Sequence, residues 1–248
     1  MSQSPDASLP SLPSLPSQAG PAMHPLVALS IITFALMVVV GPCFGPVPEY
    51  LGMNFAVREA TVYQLVVFAV AYGICLFLTF ALMRASHLGL ADIGWCRPSR
   101  RSAVIFAVVF GIWMGAGTAY GMTQMAPGTD ITELSVFRFG VAMAATLLVP
   151  LEDIVTRGFV LTQLHRMRVP AWLQILLSAL LFAAYHCAFG FNWIGFAFTM
   201  VLGLVLAGLF IWGRRSLTPV LLCHGLMLLT GEPYATMMMI MGSSGQFS

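Results

Sequence analysis

The sequence predicts an all-α fold: a polytopic bundle of about seven (six to eight) transmembrane helices. Of the 248 residues, 59% are hydrophobic and only 8% are charged, whereas a soluble domain carries about 25% charged residues. The hydrophobic residues also fall into runs of about 20 residues or more, which is the length an α-helix needs to cross a hydrocarbon core of about 30 Å. The net charge of +2 gives no indication of a nucleic-acid partner, so membrane lipids are the expected surroundings.

The N-terminal segment differs from the rest of the chain. Residues 1–22 are rich in Ser and Pro and repeat Ser-Leu-Pro three times between Ser8 and Pro16. This composition buries too little apolar surface to fold and predicts a disordered tail. The segment lacks the basic region of a signal peptide, so the first apolar run is expected to stay as a membrane helix. Residues 23–248 are predicted to form a single transmembrane domain.

The apolar runs give the order of the helices. The predicted spans are residues 24–43, 62–83, 102–124, 136–165, 170–190, 193–213 and 217–241. The fourth run contains Pro150, which predicts a kink or break because proline removes a backbone donor. The seventh is expected to end early at Gly231-Glu232-Pro233.

Two residue types suggest how the helices pack. The third run carries four glycines that predict close contact with a neighbouring helix of the same chain: Gly111, Gly115, Gly117 and Gly121. The five cysteines are odd in number and include no C-x-x-C pair. They are therefore interpreted as small apolar residues in helices, not as disulfides or a zinc site.

Arginine placement predicts an orientation. All 11 basic residues are arginine, and they concentrate in the loops at 84–101, 165–169 and 213–216. With seven spans these loops lie on one side, which the positive-inside rule makes cytoplasmic, with the N-terminus inside.

The motif Glu152-Asp153-x-x-x-Arg157 lies inside the fourth run. An ionisable residue in a bilayer costs at least ~2.5–3.5 kcal/mol on insertion scales, so each needs an explanation. Asp153 and Arg157 are four residues apart on one helix face and are expected to form an ion pair. Glu152 points about 100° away from Asp153, which leaves it free to face a cavity. The alternative is a cap at the membrane edge, where water reaches the acids.

Two histidines complete a candidate site. Phe182 and His186 share a helix face at i, i+4, so the phenyl ring can pack against the imidazole. A lone histidine in an apolar helix is more often a packing residue. However, Glu152 and His186 each lie about 14–17 residues from the 165–169 loop, hence at similar depth of roughly 21–25 Å. His224 lies nearer to its own loop, so its depth differs from that of Glu152 and His186 by about 10 Å.

A carboxylate and two imidazoles in a cavity of low dielectric favour hydrolysis. Glu152 can take a proton from water, and the histidines can position that water and stabilise an oxyanion. Alternatively, Glu152, His186 and His224 are a ligand set for zinc. The H-E-x-x-H motif of common zinc proteases is absent, and no cofactor is expected.

These residues, in this order, resemble the CPBP family of CAAX proteases and bacteriocin-processing enzymes, also called the ABI family. Its pattern is Glu-Glu-x-x-x-Arg, then Phe-x-x-x-His, then His-x-x-x-Asn/Asp on a late helix. The resemblance covers about residues 88–230, with a core at about 134–230, because the segment from Leu88 to Trp95 is also similar to a loop in bacterial members. Two positions depart from the pattern: Asp153 replaces a glutamate, and Leu228 stands where the family has Asn or Asp.

The resemblance implies an intramembrane endopeptidase of the glutamic type in the plasma membrane of a bacterium. Glu152 would be the general base, assisted by His186. His224 would stabilise the oxyanion, and Asp153 and Arg157 would be a structural pair. The substrate would be a peptide or protein that reaches the bilayer, prenylated in eukaryotic relatives. Related CAAX proteases open to the cytosol, whereas residue counting places Glu152 toward the outer side.

Two other functions remain open. The loss of a polar side chain at Leu228 favours a catalytically weakened relative that acts as a binding or immunity protein. A transporter with an intramembrane proton relay is the third interpretation, although the sequence shows no internal repeat of the kind common in transporters.

Overall fold

The computed structural model describes residues 22–44, 57–95, 98–125, 135–189, 191 and 193–231. Within these ranges the chain forms seven helical runs and no strand, so the predicted all-α fold is confirmed. The tail predicted for residues 1–22 lies outside the described residues except for residue 22, as does the end of the last predicted span.

The helices follow the apolar runs closely. Their bounds are α1 Pro25–Ala35, α2 Val57–Ala85, α3 Arg101–Met125, α4 Val136–Asp153, α5 Val160–Arg166, α6 Ala171–Cys187, α7 Trp193–Trp212 and α8 Thr218–Thr230. A π-helical turn and a 3₁₀ turn extend α1 to Phe44, and a π-helical turn at Ile154–Phe159 joins α4 to α5.

Five of the seven described runs are long and apolar enough to cross a membrane, and α6 and α8 are shorter apolar helices. Large apolar side chains such as Phe77, Trp113 and Leu147 are exposed on the outside of the bundle. Exposure of this extent is expected where the surface contacts lipid. The chain is therefore an integral membrane protein.

The fourth helical run does not break at Pro150. The α-helix passes through Pro150 to Asp153, and the irregularity follows as the π-helical turn at Ile154–Phe159. Such turns insert one extra residue into the hydrogen-bond ladder and often occur at functional sites. The break predicted at Pro150 is therefore absent, and a kink at this residue stays a prediction.

The last helix begins inside the bundle. The backbone N–H of Leu217 donates to the carbonyl of Gly94 (3.0 Å), and a Cβ added to Gly158 would touch the Leu217 side chain at 3.4 Å. Gly158 lies eight residues before Arg166, or about 12 Å along the helix axis. The 13 residues of α8 therefore start deeper in the bundle than the end of α5 at Arg166. Helix α8 ends at Thr230, as the Gly-Glu-Pro sequence predicts.

The glycines of α3 divide into two pairs. A Cβ at Gly111 would lie 2.5 Å from the carbonyl oxygen of Cys223, and one at Gly115 would collide with Thr230 and Met227. Among the described residues, nothing lies within 4 Å of that position at Gly117 and Gly121. The predicted close packing is thus confirmed for Gly111 and Gly115 against α8, and for Gly117 and Gly121 it stays a prediction.

The four cysteines in the described residues are free and buried. This agrees with their interpretation as small apolar residues, while Cys96 lies outside the described part.

We expect Gly111→Ala to lower the free energy of unfolding by about 1–3 kcal/mol, because the new methyl group overpacks the α3–α8 contact. Gly117→Ala is the matched control and should be neutral or stabilising by up to about 1 kcal/mol, because alanine favours a helix. Denaturant unfolding in detergent micelles measures both. Equal effects of the two substitutions would contradict the packing described here.

Candidate active site

Glu152 is buried in the bundle and points toward α6. Its side chain accepts a hydrogen bond from the Tyr185 hydroxyl, and Tyr72 of α2 lies next to both groups. Glu152 is 6% exposed and Tyr185 is fully buried. A buried carboxylate requires hydrogen-bond donors, and Tyr185 supplies one across the α4–α6 contact.

His186 faces Glu152 with one ring nitrogen. Its Nδ1 lies 2.8 Å from the carbonyl oxygen of Phe182, which can only accept, so Nδ1 carries the proton. The neutral ring then has its lone pair on Nε2. This Nε2 lies 3.8 Å from Oε1 of Glu152.

The space between Glu152 and His186 is suited to water. A separation of 3.8 Å is too long for a direct hydrogen bond, and Nε2 is an acceptor in this tautomer. A water molecule placed between them can donate to both. The His186 side chain is 15% exposed, so its ring is accessible at the surface of the bundle.

Asp153 connects two other helices. Its Oδ1 lies 3.1 Å from Nη1 of Arg157, and its Oδ2 lies 3.0 Å from Nδ1 of His224. Asp153 and Arg157 are fully buried. The predicted i, i+4 ion pair is therefore present, and the alternative of a water-exposed cap at the membrane edge is wrong.

Phe182 separates the two histidines. Its ring centroid lies 4.1 Å from that of His186 and 6.3 Å from that of His224. The guanidinium carbon of Arg157 stands 4.0 Å above the same ring. The aromatic side chain thus fixes the positions of an imidazole and a buried cation through ring contacts and a cation–π interaction.

All the residues predicted for the site lie in one region of the bundle. Glu152 is 14 residues from the end of a 31-residue helical run, so it lies near the middle and not at the outer end. His224 reaches this level because α8 begins deep in the bundle, which closes the gap of about 10 Å expected from counting residues. The ring of His224 bonds to Asp153, however, and not to Glu152.

Three aromatic residues of the site were missed by the sequence analysis. Tyr185 carried a signal, because a hydroxyl next to His186 in an apolar helix needs a partner. Phe44 stacks on His186 with ring centroids 4.0 Å apart, and Tyr72 comes from α2. These two residues are remote in the sequence, which gave no indication of their position.

The described residues include no group of three or more His, Cys, Asp or Glu side chains arranged to hold a metal ion. In the zinc alternative on Glu152, His186 and His224, each histidine directs Nδ1 to Phe182 or Asp153 and keeps Nε2 for another partner, as metal-bound histidines also do. The zinc alternative is therefore left to the chelator experiment.

A family comparison matches the part of the chain that carries this site. Residues 134–230 match the family described as Type II CAAX prenyl endopeptidase Rce1-like. The resemblance to the CAAX protease family is confirmed. The match runs from the start of α4 to the end of α8 and includes all three motifs. At the level of the family, it supports a CAAX-protease-like intramembrane endopeptidase. No curated protein and no solved structure matches the chain.

Leu228 departs from the family pattern and packs against the hydrophobic core. Thr230 does not replace the missing polar group. Its hydroxyl donates to the carbonyl of Leu226 (2.7 Å) and faces Gly115 of α3.

We expect Asp153→Asn and Arg157→Met each to lower the free energy of unfolding by about 3–5 kcal/mol, because each leaves a buried charge without its partner. The double variant should lose less than the sum of the two, because no unpaired charge remains. Denaturant unfolding of the wild type, the two single variants and the double variant in detergent measures this double-mutant cycle. Additive losses would show that the two residues do not stabilise each other.

Proposed function

We propose that the protein is an intramembrane endopeptidase in which Glu152 activates water to hydrolyse a peptide bond. The observation that carries this proposal is the pair of acceptor atoms, Oε1 of Glu152 and Nε2 of His186, which face each other 3.8 Å apart. Water bound between them is oriented by both acceptors, and Glu152 can remove its proton.

The proposed reaction proceeds without a covalent enzyme intermediate. Glu152 accepts a proton from water as the oxygen bonds to the carbonyl carbon of the scissile peptide. The carbonyl π-bond electrons move to its oxygen. His224, as an imidazolium that donates Nδ1–H to Asp153, stabilises this oxyanion by donating Nε2–H. The tetrahedral intermediate then breaks its C–N bond, and the proton held by Glu152 passes to the leaving amine. Asp153 and Arg157 do not meet the substrate; they set the position of His224.

The surroundings of His186 support an apolar or prenylated substrate. Just beyond His186 in the sequence, the rings of Phe189, Phe191 and Trp193 are exposed, and Phe191 packs on Trp193 with ring centroids 4.9 Å apart. An isoprenoid or acyl chain can pack on such rings while the adjoining peptide enters the site. Placement in a bacterial plasma membrane, with the arginine-rich loops in the cytoplasm, stays a prediction.

We expect Glu152→Gln to lower the rate of peptide cleavage by about 10²–10⁴-fold, the usual contribution of a general base. Purified protein in detergent would be given fluorogenic peptides with and without a prenylated cysteine, in the presence and absence of a chelator. Glu59→Gln, the same chemical change on an exposed residue of α2, is the control and should keep full activity.

Two outcomes would contradict the proposal. Full activity of Glu152→Gln would exclude this residue as the base. Loss of wild-type cleavage on chelation would favour the zinc interpretation on Glu152, His186 and His224.

A second function is favoured by one observation, the apolar side chain at Leu228. His224 and Leu228 share a face of α8, so the family's Asn or Asp at this place would stand beside the proposed oxyanion donor. Without it, the protein would bind peptides or act in immunity with little or no hydrolysis.

We expect Leu228→Asn to raise the cleavage rate by up to about 10²–10³-fold, the value of one oxyanion donor. Leu229→Asn, which points about 100° away, is the matched control and should give no gain. A silent wild type with an active Leu228→Asn variant would identify a weakened relative. Equal activity of wild type and Leu228→Asn would show that the departure at this position does not limit catalysis.

A further inference from the structure

A second polar region lies at the hairpin between α5 and α6, away from Glu152. It is an open cavity of about 590 Å³ lined by His165, Arg166, Arg168, Gln174 and Arg215, with apolar residues between them. No carboxylate of the described residues contributes to this lining. Arg166 lies 14 residues beyond Glu152 on one helical run, or about 21 Å away along its axis.

Two buried glutamines hold two of the arginines. Oε1 of Gln163 accepts from Arg166 (3.2 Å), and Oε1 of Gln174 accepts from Arg215 (3.1 Å). The amide nitrogens of these glutamines are bonded elsewhere: Gln163 to Ser86 and Gln174 to the carbonyl of Val169. Both glutamines are almost fully buried, so their orientation is fixed.

The choice of partner determines the charge of the cavity. An aspartate or glutamate in place of either glutamine would hold the guanidinium but cancel its charge. An amide oxygen fixes the same group without adding a negative charge. Arg215 is held further by the carbonyl of Leu161 (2.5 Å). The cavity therefore presents guanidinium groups in fixed positions, which can bind an anion with little reordering of their side chains.

The position of the cavity favours a lipid over a soluble anion. Next to it, α6 begins with the exposed Trp172, and Leu176 and Leu180 continue the exposed apolar stripe at intervals of four residues. Tryptophan is enriched where a helix meets the membrane–water interface. A phosphate in the cavity would thus be linked to acyl chains that lie along this stripe.

We propose that this cavity binds the phosphate headgroup of an anionic phospholipid. Basic pockets between helices at a membrane surface bind such headgroups. Arg166 and Arg168 contact the phosphate, and Arg215, with its fixed guanidinium, forms the base of the cavity. The same guanidinium chemistry would accept free phosphate, so the source of the phosphate has to be separated by experiment.

The test measures the binding of phosphatidylglycerol and phosphatidylcholine with identical acyl chains to the full-length protein in detergent, by native mass spectrometry. The variant R166Q/R168Q removes two exposed arginines and keeps Arg215, which has structural contacts. The control R100Q/R101Q removes two exposed arginines at the start of α3, outside the cavity, and changes the net charge equally. A melting curve of each protein checks that it is folded.

Wild type should prefer phosphatidylglycerol, and R166Q/R168Q should lose this preference by about fivefold per arginine removed. R100Q/R101Q should keep it. If both variants lost the preference for phosphatidylglycerol equally, the preference would depend on net charge and not on this cavity, which would overturn the proposal. Absence of any preference for phosphatidylglycerol, with binding of inorganic phosphate that depends on Arg166 and Arg168, would overturn the lipid assignment in favour of a soluble anion.

Discussion

The carboxylate of Asp153 is the group on which the interior of this bundle depends. It lies between the guanidinium of Arg157 and the imidazole of His224, with one oxygen directed to each. In a membrane bundle neither partner can be left unpaired without a large loss of free energy. The position of α8 is therefore tied to the register of α4 through a polar contact in addition to its apolar packing. Phe182 brings α6 into the same arrangement by packing on Arg157 from the other side.

The sequence was sufficient to predict those features that depend on local spacing. Apolar runs of about 20 residues marked the helices, and the four-residue separation of Asp153 and Arg157 implied their ion pair. The contact between Asp153 and His224 spans 71 positions and depends on the depth at which α8 begins. Counting residues from each loop assumes that every helix starts at the same level. The contact of Leu217 with Gly158, about 12 Å along the helical run from Arg166, shows that α8 starts deeper in the bundle. The π-helical turn after Asp153 has no comparable signal in the spacing of the residues.

Two kinds of polar chemistry coexist in the protein and are kept apart by the 14-residue separation of Glu152 and Arg166 along one helical run. Near the middle of the bundle, charges are few and paired, and the aromatic rings of Phe44, Phe182 and Tyr185 surround His186. At the hairpin end, arginines are held by neutral amides and retain their charge. The first arrangement suits chemistry in which a proton moves between neighbouring groups in a dry cavity. The second suits the surface of a membrane, where a fixed positive charge acts on anionic headgroups.

The contact of Gly111 and Gly115 with α8 has a consequence for the limits of the folding unit. The family match begins at residue 134, but α3 ends before it and still covers the backbone of α8 at Cys223 and Met227. A fragment cut at the boundary of the match would leave that part of α8 without the helix that covers it. The residues that match the family and the residues that pack together are thus not the same range. A minimal folded fragment has to include α3, which the family match leaves out.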